Sequence, residues 1–467
     1  MSTALLNHYE EIEKEYEELF KTEPFLNRKL VSFQANKDLP FYNWFAYREG
    51  FSCHMVQYFI EKFERSNPKI LDPFAGSNTT LFTANELGYK SLGIELLPIG
   101  KFVLDARIAA CKIKSNVFKE VVEQIKQIDF AKQEVTHKYS FKHVPITDKA
   151  FPPETEKKLN SYLTYVKTKV KGRYLKQVLL FCCFCILEKL SYTRKDGQYL
   201  RWDYRAQKSK TSFNKGKVYE FEEALYEMLN QIHFDMNNSH GLFQEHKFTD
   251  TEMKLLTGSC LDILPTIEND TYDLIISSPP YCNRYDYTRT YALELVFLGM
   301  DNNKIKELRQ KMLSCTVENK DKEEYLEDLY IKYNQTDLYN GAVSAFNECY
   351  ILQDIIASLK ELKEDNKLNN PKIYDLVKNY FYEHSFVVFQ MARILNNGGK
   401  IYYVNDNVQY AGITIPVDII LSEYAKKAGL KINCIYVLSQ SKGNSSQQMG
   451  VHGRRGLRKC VYVWRKP

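Results

Sequence analysis

Apolar and polar positions follow two different patterns along the chain, and each pattern predicts one type of secondary structure. Short apolar runs that end at glycine, proline or a polar residue are typical of buried strands. Longer stretches that keep their apolar residues on one face are typical of helices. Up to residue 277 these patterns predict strands at 70–71, 91–94, 255–257 and 272–277, and helices at 5–22, 44–64, 79–87 and 260–264.

The last part of the chain returns to the same alternation after a long charged stretch. It predicts helices at 377–395 and 416–428, a turn at 396–399 (NNGG), and strands at 400–406, 431–440 and 459–467. Strands that alternate with helices favour a mostly parallel sheet that is covered on both faces. The predicted fold class is therefore α/β, a Rossmann-like sheet with helices on both faces, plus two mostly helical insertions.

Changes in this pattern divide the chain into segments. The α/β portions are 40–111, 251–299 and 376–467, and a helical extension covers 1–39. Two charged, helix-patterned insertions cover 112–250 and 300–375. No internal repeat or low-complexity tract interrupts them.

Composition changes this picture only modestly. The 467 residues are 44% hydrophobic and 26% charged, with a net charge of +6, which permits a nucleic-acid partner without requiring one. The N-terminal stretch is acidic and amphipathic, unlike a signal peptide, and the apolar run VLLFCCFCIL is too short to span a membrane. We therefore expect a cytoplasmic protein without a membrane partner, whose 11 cysteines are reduced. Cys182, Cys183 and Cys185 are too closely spaced for a zinc site and are predicted to be helix-core residues, so no metal is expected.

The stretch DPFAGSNTT (72–80) places small residues between a predicted strand and a predicted helix. Small residues let a ligand approach the backbone, and a helix N-terminus offers free N–H groups. The stretch lacks both a dinucleotide fingerprint and the lysine of a P-loop, which disfavours a pyrophosphate or triphosphate. Glu95 ends the next strand, where Rossmann-type folds grip ribose hydroxyls. A nucleoside with an amino-acid-like tail fits these features, and a generic turn with a solvated glutamate remains the alternative.

The stretch ISSPPYCNRYDY (276–287) ends a buried strand with two prolines and then three tyrosines. Prolines stiffen the carboxyl end of a strand, which is the place where open α/β sheets hold ligands. Taken alone, the pattern is also that of a simple strand-ending turn.

Together, DPFAGSNTT…LGYKSLGIE and YDLIISSPPY resemble the amino-methyltransferases of DNA, which methylate an exocyclic nitrogen of cytosine or adenine with S-adenosylmethionine. The resemblance covers roughly 40–110, 254–299 and 376–467. It implies a Rossmann-like methyltransferase sheet, S-adenosylmethionine as cofactor, double-stranded DNA as substrate and a target-recognition role for 112–250. It also implies a restriction–modification or defence role, in which a cognate restriction endonuclease is a candidate partner. The oligomeric state stays open. This chain departs from the family pattern at Asn78, where glycine is usual, and at Ser259, where aspartate is usual.

The resemblance also implies roles for individual residues. Ser278 Oγ and the Pro279 carbonyl would accept hydrogen bonds from the target amine, Pro280 would keep that peptide rigid, and Tyr281 would stack on a flipped base. The segment 49–52 matches a family segment under the methionine tail, although Ser52 is equally suited to cap a helix. The implied cofactor-binding residues are Asp72, Pro73, Phe74, Ala75, Gly76, Ser77, Asn78, Thr79, Thr80, Glu95, Glu49, Phe51 and Ser52, with Asp262 as a substitute for the missing aspartate.

Serine as the first residue of the catalytic loop favours cytosine N4 as the acceptor. The alternatives are adenine N6 in DNA, guanine N2 in RNA, and a DNA-binding subunit that has lost turnover. About forty residues precede the first α/β block, which leaves little room for an N-terminal RNA-binding domain.

Basic residues interleaved with aromatic ones in 191–217 suit phosphates and unstacked bases, although a charge run is often only a solvated face. A second basic stretch, 452–459, and the polar loop after Tyr281 are further candidates. The predicted DNA-binding residues are Arg194, Lys195, Arg201, Trp202, Arg205, Asn283, Arg284, Tyr285, Arg454 and Arg455.

Overall fold

The strands were located in a computed structural model that describes residues 3–196, 199–208, 210–238, 253–438 and 456–467. In chain order they are β1 (Phe20–Lys21), β2 (Ile70–Asp72), β3 (Ser91–Glu95), β4 (Thr193–Lys195), β5 (Leu200–Trp202), β6 (Met253–Thr257), β7 (Tyr272–Ser277), β8 (Leu395–Asp406), β9 (Val408–Tyr410), β10 (Ile413–Ile415), β11 (Lys431–Val437) and β12 (Lys459–Arg465). Among the described residues, eight of them form one sheet in the order β1-β11-β12-β8-β7-β2-β3-β6.

The direction of the strand order reverses beside β2. From β2 the chain continues to β3 on one side, and β7 later pairs with the other side of β2. Strands β6, β3, β2, β7 and β8 run parallel, and β12 is antiparallel between β8 and β11. This is the doubly wound arrangement predicted from the sequence, and ligands bind at the carboxyl ends of the strands where the order reverses.

Helices cover both faces of the sheet. They are α1 (Thr3–Glu15), α2 (Cys53–Glu61), α3 (Thr79–Glu86), α4 (Pro98–Cys111), α5 (Ser115–Lys126), α6 (Pro153–Thr168), α7 (Arg173–Leu190), α8 (Phe221–Asn238), α9 (Cys260–Ile263), α10 (Tyr287–Thr290), α11 (Ala292–Phe297), α12 (Asn302–Lys311), α13 (Glu323–Lys332), α14 (Thr336–Glu348), α15 (Tyr350–Glu364), α16 (Ile373–Ile394) and α17 (Val417–Lys427). Leu274 and Ile276 pack on the α2 side, whereas Ile275 packs on the α16 side, so both faces of β7 are buried.

The two insertions are mainly helical, as predicted. In the first, α5–α8 share a core that continues onto α4, and Cys182 and Cys183 are buried in it on α7. It also contains an antiparallel hairpin of β4 and β5 that the helical prediction did not include. In the second, α14 and α15 pack against α16.

The helix predicted over 44–64 is wrong in its first half, because α2 begins only at Cys53. Ser52 caps it by accepting a hydrogen bond from the Met55 backbone N–H at 3.2 Å. Upstream, Trp44 and Phe45 pack against the aromatic face of α7, with the Phe45 and Phe184 rings 5.0 Å apart. Tertiary packing of these aromatics therefore overrides the helical period of the sequence.

Two other elements also differ from their predictions. The helix predicted over 5–22 ends at Glu15, and Phe20–Lys21 instead forms the edge strand β1, parallel to β11. The NNGG stretch lies inside β8, where the pairing with β7 jumps from Leu395 to Lys400 and leaves a bulge. In the described ranges no helix combines the length and apolar character needed to cross a membrane.

Candidate active site at the carboxyl edge of the sheet

Asp72, the last residue of β2, joins the loops that follow β2 and β7. One carboxylate oxygen accepts from Ser277 Oγ at 2.5 Å and from the Phe74 N–H at 3.1 Å. The other accepts from Thr80 Oγ1 at 2.7 Å. Burial raises the pKa of Asp72 to about 6, against the lowering effect of these donors. All of these contacts are internal, so Asp72 orders the two loops rather than facing a ligand.

Left-handed residues shape the loop after β2. Gly76 has φ +51°, and a Cβ at this position would lie 3.0 Å from the Tyr47 ring. Asn78 takes the position where the family has glycine, with φ +65°, and its side chain donates to the Gly100 carbonyl at 2.8 Å. Asparagine tolerates this conformation better than most residues, so the departure leaves the loop intact.

Glu95 closes the loop from the end of β3. Its two carboxylate oxygens accept hydrogen bonds from the Gly76 and Leu97 backbone N–H groups, each at 2.7 Å. Burial nevertheless raises the pKa of Glu95 to about 7. The carboxylate retains lone pairs that can accept from hydroxyl groups of a ligand.

A cavity lies between these loops. Most of the predicted cofactor-binding residues line it, and so do Ser278 and Pro280 of the predicted catalytic loop. The residues that line it are Tyr47, Glu49, Gly50, Phe51, Pro73, Phe74, Ala75, Gly76, Ser77, Thr79, Ile94, Glu95, Leu96, Leu97, Gly258, Ser259, Cys260, Ser278, Pro280, Tyr287, Met312 and Leu313. The strand tips of β2, β3, β6 and β7 therefore meet at one cavity, as the resemblance implied.

Five predicted cofactor-binding residues do not line this cavity. Asp72, Asn78 and Thr80 are buried behind the loop and make the internal contacts described above. Ser52 is fully buried as the cap of α2. Asp262 instead accepts a hydrogen bond from the Tyr325 hydroxyl at 2.6 Å, so it faces the second insertion and does not replace the missing aspartate.

Several residues of the site carry no recognisable signal in the sequence. Met312 and Leu313, from the second insertion, form part of the cavity wall. Arg107 on α4 is buried between the Tyr42 and Phe82 rings and donates to the Ser77 carbonyl at 2.9 Å, which braces the loop. Their positions depend on packing between distant parts of the chain.

Glu49 is the second carboxylate in the cavity wall, after Glu95. Its carboxylate accepts from the Tyr291 hydroxyl at 2.6 Å, and burial raises its pKa. The Tyr291 ring stacks on Tyr47 with centroids 5.1 Å apart. The aromatic pair holds Glu49 at one end of the cavity.

The catalytic loop follows β7 directly. Ser278 Oγ lies 3.1 Å from the Tyr281 hydroxyl and 3.3 Å from the Val404 carbonyl oxygen. Tyr281 is only partly buried and stands outside the cavity lining, with the Lys459 ammonium 5.3 Å from its ring centroid. The next residue, Cys282, is fully buried, and its carbonyl accepts from the Tyr410 hydroxyl at 2.7 Å. Pro279 is buried and Pro280 reaches the cavity, so the loop is fixed on both sides.

Lys195, which was predicted to bind DNA, is buried inside the protein. Its side chain is 4% exposed, and its ammonium lies 2.5 Å from Glu294 Oε1 and 4.5 Å from the Tyr291 ring centroid. In contrast, Arg194 and Arg201 are exposed and directly opposite each other across the β4–β5 hairpin. The alternation of side chains along β4 explains the difference, because neighbouring residues face opposite sides.

The other predicted DNA-binding residues are mostly engaged within the protein. Arg205 forms a two-point hydrogen bond with Asp203, and Trp202 is covered by the Lys208 ammonium at 4.4 Å from its ring centroid. Tyr285 is only 8% exposed, which contradicts a direct role in DNA binding. Asn283 accepts from the Tyr285 N–H within the loop. Arg284 is partly buried with φ +65°.

The second basic stretch lies partly outside the described residues. Arg454 and Arg455 lie outside the described residues. Arg458 and Lys459, which complete the stretch, form internal ion pairs with Asp418 and Asp406 at 2.7 and 3.1 Å. Arg458 and Lys459 are therefore engaged within the protein.

This fold, with a Ser-Pro-Pro-Tyr loop and a glycine-containing loop on one cavity, defines an α/β amino-methyltransferase. Relatives described as type II methyltransferases are 45% and 41% identical to this chain over 98% of its length, so the chain belongs to the DNA amino-methyltransferase family. A family model described as DNA methylase matches residues 7–98.

Two curated relatives match nearly the whole chain, and another matches less than a third of it. Type II methyltransferase M.AvaI of Nostoc sp. (strain PCC 7120 / SAG 25.82 / UTEX 2576) is 45% identical over 464 residues, covering 98% of this chain and 92% of the relative. Type II methyltransferase M.BsoBI of Geobacillus stearothermophilus is 41% identical over 472 residues, covering 98% and 91%. Type II methyltransferase M.MjaII of Methanocaldococcus jannaschii is 24% identical over 157 residues, covering 29% and 30%.

Proposed function

We propose that this chain transfers a methyl group from S-adenosylmethionine to N4 of a cytosine that has been flipped out of duplex DNA. The observation that carries the proposal is the position of Ser278, which lines the same cavity as Gly76 and Glu95. A hydrogen-bond acceptor for an amine and a nucleoside-type loop therefore face each other across one space.

The cavity residues fit the proposed cofactor. Glu95 offers carboxylate oxygens for ribose hydroxyls, and Glu49 places a second carboxylate toward a cationic amino-acid tail. Ile94, Leu96 and Leu97 provide apolar surface for an adenine ring. When bound, S-adenosylmethionine supplies an electrophilic methyl group on a sulfonium.

Ser278 and Pro279 act on the acceptor amine. That amine is a poor nucleophile because its lone pair is delocalised into the base. The Ser278 hydroxyl has the Tyr281 hydroxyl and the Val404 carbonyl as hydrogen-bond partners, which leaves its own lone pairs to accept an amine hydrogen. A second hydrogen is accepted by the Pro279 carbonyl, which Pro280 holds rigid. Both acceptors favour a pyramidal amine and fix its direction of attack.

Serine at position 278 supports cytosine as the target. A neutral hydroxyl both donates and accepts, so Ser278 can accept from the cytosine N4 amine and, when its one hydrogen turns away from the Val404 carbonyl, donate to the neighbouring ring nitrogen. Aspartate, the residue that favours adenine, would be acceptor-only when ionised. Adenine N6 is the alternative within the same family.

Target recognition is proposed for the first insertion. Arg194, Arg201 and Tyr204 are exposed on or beside the β4–β5 hairpin. The adjacent Lys195 anchors the hairpin to Tyr291, whose hydroxyl donates to Glu49 of the cavity wall. Cationic and aromatic side chains at this place suit phosphates and bases near a flipped nucleotide. A cognate restriction endonuclease and residence in the cytoplasm belong to the same proposal.

The function is tested by identifying the methylated base. The protein is incubated with labelled S-adenosylmethionine and either duplex DNA or tRNA, and nucleosides are separated after digestion. We expect label in N4-methylcytosine from DNA. Label in N6-methyladenine would replace cytosine by adenine as the target, and label in RNA alone would overturn the DNA substrate.

Glu95 is expected to make cofactor affinity depend on pH. Its pKa is about 7 in the protein, so raising the pH from 6 to 8 ionises it. The ionised form accepts hydrogen bonds from ribose hydroxyls more strongly, and we expect the Kd for S-adenosylmethionine to fall by about tenfold. Titration calorimetry at several pH values measures this change.

Glu95→Gln is expected to bind the cofactor more weakly and to show little pH dependence. Glu49→Gln is the control, because it removes the other carboxylate of the cavity wall. A Glu95→Gln protein that keeps the wild-type pH dependence would assign the titration to another group, such as Asp72.

A further inference from the structure

A second cavity lies beside the catalytic loop. Its wall consists of Arg28, Ser32, Gln34, Asp406, Asn407, Leu457, Arg458 and Lys459. It shares no lining residue with the cofactor cavity. Lys459 links it to the catalytic loop, because its ammonium stands 5.3 Å from the Tyr281 ring centroid. Tyr281 therefore contacts one residue of each cavity. Ser278 lines the cofactor cavity, and Lys459 lines the second one.

Most charges in this second cavity are neutralised by neighbours. Lys459 pairs with Asp406 at 3.1 Å. Arg458 pairs with Asp418 and with Glu13, each at 2.7 Å. These two cations face three carboxylates, so they leave no positive charge for a ligand.

Arg28 is the exception. Within the described residues its guanidinium forms no hydrogen bond or ion pair, although the side chain is partly buried and its Nε is fully buried. Residues 439–455, which precede Leu457 in the sequence, include no aspartate or glutamate. A buried Nε–H without a partner is costly, and an anion bound to the guanidinium would supply one.

The segment that carries Arg28 is held rigidly. The Asn27 side chain accepts from the Lys29 and Leu30 N–H groups at 2.9 and 3.2 Å. The Leu30 carbonyl accepts from the Ser52 N–H at 2.8 Å, directly before α2. The backbone at Arg28 is thus fixed before any ligand arrives, which reduces the entropic cost of binding.

We propose that this second cavity is a phosphodiester site, in which Arg28 binds a DNA phosphate next to the flipped nucleotide. A base that stacks on Tyr281 has its own phosphates one sugar away, and Lys459 of the cavity wall stands beside the Tyr281 ring. Arginine matches phosphate with two parallel N–H donors, and the exposed Gln34 amide is a further donor at the rim. The site rests on the proposed flipped base, but it is independent of whether that base is cytosine or adenine.

The test combines an Arg28→Gln variant with duplexes in which single phosphates are replaced by neutral methylphosphonates. The duplexes carry the target site, mapped beforehand by methylation-sensitive sequencing, and Kd is measured by fluorescence anisotropy. For the wild type, we expect a several-fold loss of affinity when a phosphate flanking the target nucleotide is neutralised. For Arg28→Gln, we expect no further loss at that position, because the contact is already absent.

Salt dependence gives an independent readout. Removing one phosphate contact should lower the slope of log Kobs against log salt by about 0.9, which is roughly 3.5-fold in affinity between 50 and 200 mM. Lys360→Gln removes the same charge from an exposed position on α15 and should leave the slope unchanged. Arg28→Lys keeps the charge without the two-point geometry and should restore the slope but only part of the affinity.

Three outcomes would overturn the proposal. The first is an equal methylphosphonate penalty in wild type and Arg28→Gln at every phosphate near the target. The second is an unchanged salt slope in Arg28→Gln. The third is a raised Kd for S-adenosylmethionine, which would assign Arg28 to the cofactor carboxylate. Failure of the proposed function has a different signature, since wild type would then leave duplex DNA unmethylated.

Discussion

Replacing Tyr281 with alanine is expected to lower the rate of methyl transfer to DNA by about 100-fold or more, while cofactor affinity stays at the wild-type value. The ring is proposed to stack on the flipped base, and such stacking contributes about 1–3 kcal/mol per base. Losing it also lets the amine drift from the line of attack, and a displacement of about 1 Å costs about 100-fold in rate. Tyr281 lies outside the cofactor cavity lining, so the cavity itself is preserved. Single-turnover rates and cofactor titrations measure the two effects separately.

Tyr281→Phe is the matched control. It keeps the aromatic ring and removes the hydroxyl that lies 3.1 Å from Ser278 Oγ. Because Ser278 keeps the Val404 carbonyl as a partner, we expect this variant to retain most of its activity. If alanine weakened cofactor binding as much as transfer, Tyr281 would be a cofactor-binding residue and the stacking role would be wrong.

The strand-and-loop framework of the site was predictable from sequence because its signals are local. DPFAGSNTT and SSPPY each follow a short apolar run, and parallel strands bring their carboxyl ends to one edge. Which side chains of DPFAGSNTT face the ligand was not predictable in the same way. Asp72, Asn78 and Thr80 belong to the motif, yet their side chains form internal hydrogen bonds that hold the loop in place.

Residues that depend on tertiary packing were missed or misassigned. Met312 and Leu313 reach the cavity through the fold of the second insertion, which has no motif. The first part of the helix predicted over 44–64 has a helical period, but the Trp44 and Phe45 rings are buried against α7 and the Phe45 ring also contacts Tyr291, so no helix forms before Cys53. In the basic segment 191–217, composition gave no indication of which cations are internal. That distinction follows from strand alternation and from carboxylates distant in sequence, such as Glu294.

Lys195 and Arg194 are adjacent in sequence and are expected to respond in opposite ways to replacement by methionine. Lys195 and Glu294 are 4% and 2% exposed and form a direct ion pair. Lys195→Met leaves the Glu294 carboxylate buried without its partner, and we expect a loss of about 3–5 kcal/mol in the free energy of unfolding. Arg194→Met removes an exposed cation, so stability should change by less than about 0.5 kcal/mol while the salt slope of DNA binding falls by about 0.9.

The pH dependence of the Lys195→Met defect separates a buried carboxylate from a general packing loss. Burial already raises the pKa of Glu294, and the Lys195 ammonium opposes this shift, so its removal raises that pKa further. A raised carboxyl pKa costs stability above the unfolded-state value of about 4.3, and the cost disappears as the pH falls toward that value. Urea unfolding at pH 5 and pH 8 should therefore show the larger defect at pH 8. Adding Glu294→Leu should recover part of the loss, because the unpaired carboxylate is then gone. If Lys195→Met instead kept full stability and lowered the salt slope of DNA binding, Lys195 would be a phosphate contact after all, and the hairpin would present its opposite face to DNA.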